Sequence, residues 1–123
     1  MPRDVRTAGF SRRYRFTGQG SFGPILRASR KLRGRFAVIH AAPGIPGRSR
    51  LGIALTRRNV PSSVHRNRLK RLVREAFRSH PVKGAGFDLI VMLRERYEPS
   101  TEGELILEIR ALMDDLCATR PQR

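Results

Sequence analysis

The stretch that most constrains the fold is residues 65–78, "HRNRLKRLVREAFR". Its apolar residues recur at helical spacing and form a single stripe: Leu69, Leu72, Val73, Ala76 and Phe77. The same fourteen positions hold six lysines and arginines, and Glu75 is the only acid. Like charges three or four positions apart on a helix repel each other. The pattern therefore predicts a helix that packs on one side and meets an anionic partner on the other.

The charge of the whole chain supports such a partner. The formal net charge is +16, and the sequence pI is about 11.8. Residues 1–94 carry 22 of the 26 lysines and arginines against three acids, whereas residues 95–123 carry four against seven. Clustered positive charge on a folded domain is typical of a nucleic-acid-binding protein. Arginine dominates in 65–78, which favours bidentate contacts to phosphate over mere solubility.

The length and composition indicate one globular domain. The chain has 123 residues, of which 39% are hydrophobic. The single cysteine, Cys117, leaves no internal disulfide and fits a reducing compartment. No run approaches the length of a membrane span, and no secretory signal is visible, so we expect a cytoplasmic protein. We expect a loose basic tail over 1–9, one RNA-binding domain over 10–118 and a flexible end over 119–123.

The elements around the central helix are predicted from periodicity and breakers. They are a short helix from 21 to about 30, strands over 35–42, 51–58 and 87–93, and a last helix from about 101. Ser62 or Ser63 is the expected N-cap of the central helix. Thr101 and Glu104 predict a capping box, and Glu108 with Asp115 is expected on a solvated face. The fold class is therefore α/β (α+β), a single domain with a mixed sheet and helices.

No catalytic constellation is apparent in the sequence. "GQGSFG" (18–23) matches a glycine-rich phosphate loop, but the chain lacks the other parts of a kinase and a Walker lysine. His40, His65 and His80 are dispersed and have no metal-ligand spacing. The sequence predicts neither a catalytic residue nor a metal held by the protein alone.

"RLGIALTRRNV" followed by "HRNRLKRLVREAFR" resembles the signature of the protein component of bacterial ribonuclease P. The matching positions are Arg57, Arg58, Arg66, Asn67, Arg68, Lys70, Arg71, Arg74, Glu75, Phe77 and Arg78. The similarity extends to Phe10, Arg12, Phe22 and Leu26 and to "FDLIVMLR", and it covers roughly residues 10–117. It implies the element order αβββαβα. It also implies a left-handed strand–helix–strand crossover from about 51 to 93, although general rules expect right-handed crossovers.

The resemblance further implies a function. The protein would assist a catalytic RNA that, with magnesium, removes the 5′ leader from precursor tRNA, and one monomer would bind one RNA. The expected contacts to the catalytic RNA are Arg57, Arg58, Arg66, Asn67, Arg68, Lys70, Arg71, Arg74 and Arg78. The expected leader cleft is lined by Phe22, Leu26 and His40, where family members often carry aromatic residues on which bases stack.

Two alternatives stay open at this point. A ribosomal or other structural RNA-binding protein would also be this basic. A DNA-binding protein could use 62–78 as a recognition helix, but it would need a second helix just upstream, where "LGIALTRR" predicts a strand.

Overall fold

The computed structural model describes residues 30–118. The predicted tails over 1–9 and 119–123, and the predicted first helix as far as residue 29 with Phe22 and Leu26, lie outside these residues. The described elements are β1 (Arg30–Arg33), β2 (Ala37–Pro43), β3 (Arg50–Ala54), α1 (Ser63–Arg78), β4 (Phe87–Leu93) and α2 (Glu102–Ala118). Short 3-10 turns span Pro81–Gly84 and Pro99–Thr101.

The four strands form one mixed sheet in the order β1-β2-β4-β3. β2 pairs antiparallel with both β1 and β4, whereas β3 pairs parallel with β4. The parallel pair is connected through α1, which is the crossover that the resemblance implies. A single α+β domain with a mixed sheet is thereby confirmed, and the handedness of the crossover stays a prediction.

The strand β1 corrects the sequence interpretation at residue 30. We expected Arg30 to close a helix, but it begins a strand whose partner is β2. Three of the four β1 residues are cations, so the segment lacks the apolar alternation by which a strand is usually recognised. Leu32 alone packs against the core. Pairing with the buried strand β2, and not local preference, determines this edge strand.

The two faces of the sheet differ in what they carry. One face packs against both helices through alternate strand residues, including Ile39, Leu51, Leu89 and Val91. The other face, called here the His40 face, carries residues 31, 33, 38, 40 and 90, which the strand register places side by side. Val38 and Ile90 are buried on it, and His40 is half-buried. Successive side chains of a strand alternate between the faces, so neighbouring residues serve different surfaces.

The beginning of α2 differs from the predicted capping box. Thr101 belongs to the 3-10 turn that precedes the helix, and its hydroxyl donates to the carbonyl of Glu98 (3.2 Å). The helix begins at Glu102. Its predicted apolar face is confirmed, since Leu105, Ile109, Leu112 and Leu116 are all buried.

Glu108 is not a solvated surface acid, which corrects a second expectation. Its carboxylate accepts the backbone N–H groups of Arg35 (2.7 Å), Phe36 (2.8 Å) and Ala37 (2.8 Å), which follow β1. Gly34 makes this close approach possible, because a Cβ there would lie 2.3 Å from Cδ of Glu108. α2 thus holds the turn between β1 and β2 by one side chain.

Candidate nucleic-acid interface

The central helix exposes a cationic face along its whole length. Its exposed residues beyond Ser63 recur at three- and four-residue spacing: Val64, Asn67, Arg68, Arg71, Glu75 and Arg78. Leu69, Val73, Ala76 and Phe77 are buried on the opposite side. Lys70 and Arg74 lie at the border and are half-buried. The predicted apolar stripe is confirmed, with Leu72 the one member that is only half-buried.

The helix is positioned by its caps. Ser62, one of the two predicted candidates, is the N-cap, and its hydroxyl accepts the N–H of His65 at 3.2 Å. At the other end the hydroxyl of Ser79 donates to the carbonyl of Glu75 at 3.1 Å. The helix packs against α2 and the sheet through the buried residues of its apolar stripe, so its polar side has only one orientation, outward.

The turn before α1 presents two further arginines. β3 ends at Ala54, so Arg57 and Arg58 lie in an exposed turn and not in the strand that we expected over 51–58. The turn closes locally, since the hydroxyl of Thr56 accepts the N–H of Asn59 at 3.2 Å. Asn59 also anchors it to the end of β4: its side-chain amide donates to the carbonyl of Leu93 at 3.2 Å.

Arg66 points away from the exposed face, as its place beside the apolar stripe predicts. Its guanidinium donates to the carbonyls of Val60 (2.8 Å) and Pro61 (3.0 Å). It therefore holds the connection between the turn and α1.

Arg68 is exposed but paired. Its guanidinium donates to both carboxylate oxygens of Glu102, at 2.7 and 2.9 Å, and the hydroxyl of Tyr97 donates to the same carboxylate at 2.9 Å. The hydrogen bond from Arg68 holds the pKa of Glu102 below its usual value, against the opposing effect of partial burial. Burial first, and then Glu102, raises the pKa of Tyr97. The ring of His65 lies edge-on to Tyr97, with centroids 5.2 Å apart.

This cluster was not predicted from the sequence. Glu102 lies 34 residues from Arg68, and only the packing of α2 against α1 brings them together. No local pattern around either residue carries a signal of the pair.

His40 lies beside a cation on the sheet. It stands directly opposite Lys31 in the antiparallel pair of β1 and β2. Burial, and secondly the charge of Lys31, lowers the pKa of His40 below its ordinary 6.5, so its imidazole is mainly neutral at pH 7. Asp88, the acid that the register places on this face, is neutralised by Arg50, whose guanidinium donates to it at 3.0 and 2.9 Å. The face is therefore positive around a neutral imidazole.

Metal ligands are not grouped in the part of the chain that the structure describes. Residues 30–118 contain no cluster of three or more histidines, cysteines, aspartates or glutamates that could hold a metal ion. The magnesium that the resemblance implies stays a prediction. No helix among the described residues is long and apolar enough to cross a membrane.

Comparison with known proteins decides the family. The family model described as Ribonuclease P matches residues 10–117. The chain belongs to the ribonuclease P protein family. Membership implies a role in tRNA 5′ processing. It weighs against both alternatives, and the recognition-helix alternative also lacks its second helix, because β3 and a turn directly precede α1.

Individual ribonuclease P proteins agree with this assignment. The ribonuclease P protein component of Chromohalobacter salexigens is 39% identical over 87 residues, which cover 70% of this chain and 68% of that one. The component from Ectopseudomonas mendocina is 30% identical over 116 residues, covering 94% and 87%. The structure of the Thermotoga maritima RNase P protein superposes with a TM-score of 0.66 at 26% identity, covering 88% of this chain and 98% of that one.

Proposed function

We propose that this chain is the protein subunit of a ribonuclease P ribonucleoprotein and that it binds the catalytic RNA through α1 and the turn before it. The observation that carries the proposal is the surface called here the α1 basic face. It consists of Arg57, Arg58, Asn67, Arg68, Arg71, Glu75 and Arg78, all exposed. Five arginines stand there against one acid within the face, and the other side of the same helix is buried. A surface of this kind suits the phosphates of a folded RNA.

The salt dependence of binding to the catalytic RNA should reveal the contacts between the α1 basic face and phosphates. If the face meets about four to six phosphates, log affinity falls with log salt with a slope of about −3 to −5. Arg66, Lys70 and Arg74 were also predicted to contact the catalytic RNA. Arg66 is bonded to loop carbonyls, and the other two lie at the border, so we expect smaller contributions from all three.

The 5′ leader of precursor tRNA is assigned to the His40 face. A neutral, half-buried imidazole can stack against a base or share a hydrogen bond with it, and stacking of one base on an aromatic ring contributes about 1–3 kcal/mol. Phe22 and Leu26, outside the described residues, remain the other predicted members of this cleft. In this proposal the RNA partner and its magnesium perform the hydrolysis, while the protein raises affinity for the precursor.

Reconstitution with the cognate catalytic RNA tests the proposal. Protein and RNA together should remove the leader at low magnesium concentration, whereas protein freed of RNA should cleave nothing. Arg57→Ala with Arg71→Ala should flatten the salt slope of assembly by about 1.4–1.8, since each lost contact removes about 0.7–0.9.

Two single variants control for general charge effects. Glu75→Gln, which removes the acid of the α1 basic face, should change assembly in the opposite direction and strengthen it. Arg110→Ala on α2 should leave the slope unchanged. An unaltered salt slope in the double variant would mean that the α1 basic face is merely solvated. Cleavage by the protein alone would contradict the proposal that the RNA partner performs the hydrolysis.

A further inference from the structure

The segment 30–35, "RKLRGR", places four cations on an edge strand and its turn. Arg30, Lys31, Arg33 and Arg35 are all exposed. The nearest acid of α2 is Glu108, and its carboxylate is occupied by three backbone N–H groups. Neither Lys31 nor Arg33 has a salt bridge or a side-chain hydrogen bond to a described residue. The segment was not among the predicted RNA contacts.

The strand register separates these cations into two sets. Lys31 pairs with His40 and Arg33 with Val38, so both project from the His40 face. Arg30 pairs with Ala41 and projects from the face that the helices cover. Directly opposed residues of an antiparallel pair have Cβ atoms about 4.5–5.5 Å apart, so Lys31 lies beside the imidazole. Lys31 and Arg33 are themselves about 7 Å apart along the strand, a spacing that suits consecutive phosphates of an extended single strand.

These two cations are distant from the α1 basic face. β1 and β3 are opposite edges of the four-stranded sheet, about 14 Å apart at the usual strand spacing. α1 packs on the other side of the sheet, near β3. One RNA segment lying along α1 therefore does not reach Lys31 and Arg33, and these two exposed cations are available to a second anionic strand.

We propose that Lys31 and Arg33 bind the phosphodiester backbone of the 5′ leader of precursor tRNA as it passes His40 towards the edge of the sheet. The inference rests on the proposed function, because it takes His40 as part of the leader cleft. Of the predicted cleft residues, position 26 is leucine and position 40 is histidine, whose ring is smaller than the aromatic rings that relatives often have there. Charge at the sheet edge adds to the stacking that His40 offers, and leader binding is strongly salt-dependent.

The test compares precursor tRNA with and without a leader, bound by the reconstituted ribonucleoprotein. Lys31→Ala with Arg33→Ala should weaken binding of the leader-bearing tRNA about tenfold at 0.15 M salt and flatten its salt slope by about 1.4, at about 0.7 per single-strand contact. Binding of leaderless tRNA and assembly with the catalytic RNA should not change. The double variant Lys31→Gln with Arg33→Gln keeps longer side chains and should behave alike.

A matched control removes the same charge from the same hairpin. Arg30→Ala with Arg35→Ala should leave leader binding within about twofold, because Arg30 projects from the other face. Equal losses in the two double variants would indicate a general field effect and overturn the proposal. Equal losses for tRNA with and without a leader, or weaker assembly, would assign the cations to the catalytic RNA and also overturn it. If the wild-type protein shows no leader-dependent binding, the proposed function itself fails, which is a distinguishable result.

Discussion

The substitution Gly34→Ala should destabilise the protein only while Glu108 is present. An alanine Cβ at position 34 would lie 2.3 Å from Cδ and 2.4 Å from Oε2 of Glu108, so the carboxylate must leave its place. Gly34 is not among the described glycines with positive φ, which are Gly47 and Gly86. The reason for glycine is therefore the close approach of the carboxylate and not the backbone conformation.

The magnitude follows from the bonds that would be lost. The carboxylate accepts three backbone N–H groups, and those of Phe36 and Ala37 are partly buried, whereas that of Arg35 is exposed. Water can replace the exposed bond. Hydrogen bonds to a charged group contribute about 1.5–3 kcal/mol each, so Glu108→Ala should lower the free energy of unfolding by about 3–6 kcal/mol. Gly34→Ala should cost a large part of the same amount, because it displaces the same carboxylate.

Urea unfolding, followed by circular dichroism, measures the free energy of unfolding of four proteins: wild type, Gly34→Ala, Glu108→Ala and the double variant. With Glu108→Ala already present, Gly34→Ala should be neutral or slightly stabilising, since the obstacle is gone and alanine restricts the unfolded chain. We therefore expect a coupling energy about equal to the cost of Gly34→Ala alone, which is about 2–5 kcal/mol. Costs that add within about 0.5 kcal/mol would refute the reasoning. Gly103→Ala is the matched control, because nothing lies within 4 Å of a Cβ there and helix propensity alone should make it stabilising.

Two further predictions concern titration. Because the pKa of Glu102 is lowered, its ion pair stabilises the protein above pH 4.5, and this contribution is lost as the pH falls below that value. The free energies of unfolding of wild type and Glu102→Gln should therefore converge in acid. A constant difference would contradict the pairing with Arg68. The pKa of His40 is also lowered, so the unfolded chain binds the proton more readily and the free energy of unfolding should decline as the pH falls below 6.5. NMR titration should place the pKa of His40 below 6.5, and Lys31→Ala should raise this pKa. An unchanged pKa in the variant would mean that burial alone lowers it.

The two titrations bear on different surfaces. Glu102 and Tyr97 fix the guanidinium of Arg68 at the side of the α1 basic face. This pairing orients one of its arginines while leaving that side chain half exposed, at 50% of its full accessibility. His40 and Lys31 lie on the opposite side of the sheet, where Lys31 forms no ion pair with a described residue. RNA contacts on one side should therefore be separable by mutation from contacts on the other.

Local periodicity was sufficient to predict α1, its N-cap and its buried stripe, because residues three and four apart on a helix share a face whatever surrounds them. The apolar run over 87–93 likewise predicted β4 with its observed bounds. The basic motif around α1 also carried the family resemblance, which the family match over 10–117 confirms. These features depend on residues close together in the chain.

Tertiary structure decided what depends on distant partners. β1 is a strand because β2 offers it hydrogen bonds, although its own residues are mostly cations. Glu108 binds backbone N–H groups 71 to 73 residues away, and Arg68 pairs with an acid 34 residues away. Lys31 comes to lie beside His40 only through strand register. No helical or strand period contains these separations. The backbone contacts of Glu108, which was expected on a solvated face, and the surface formed by Lys31 and Arg33 could therefore be recognised only after the sheet and α2 had been assembled.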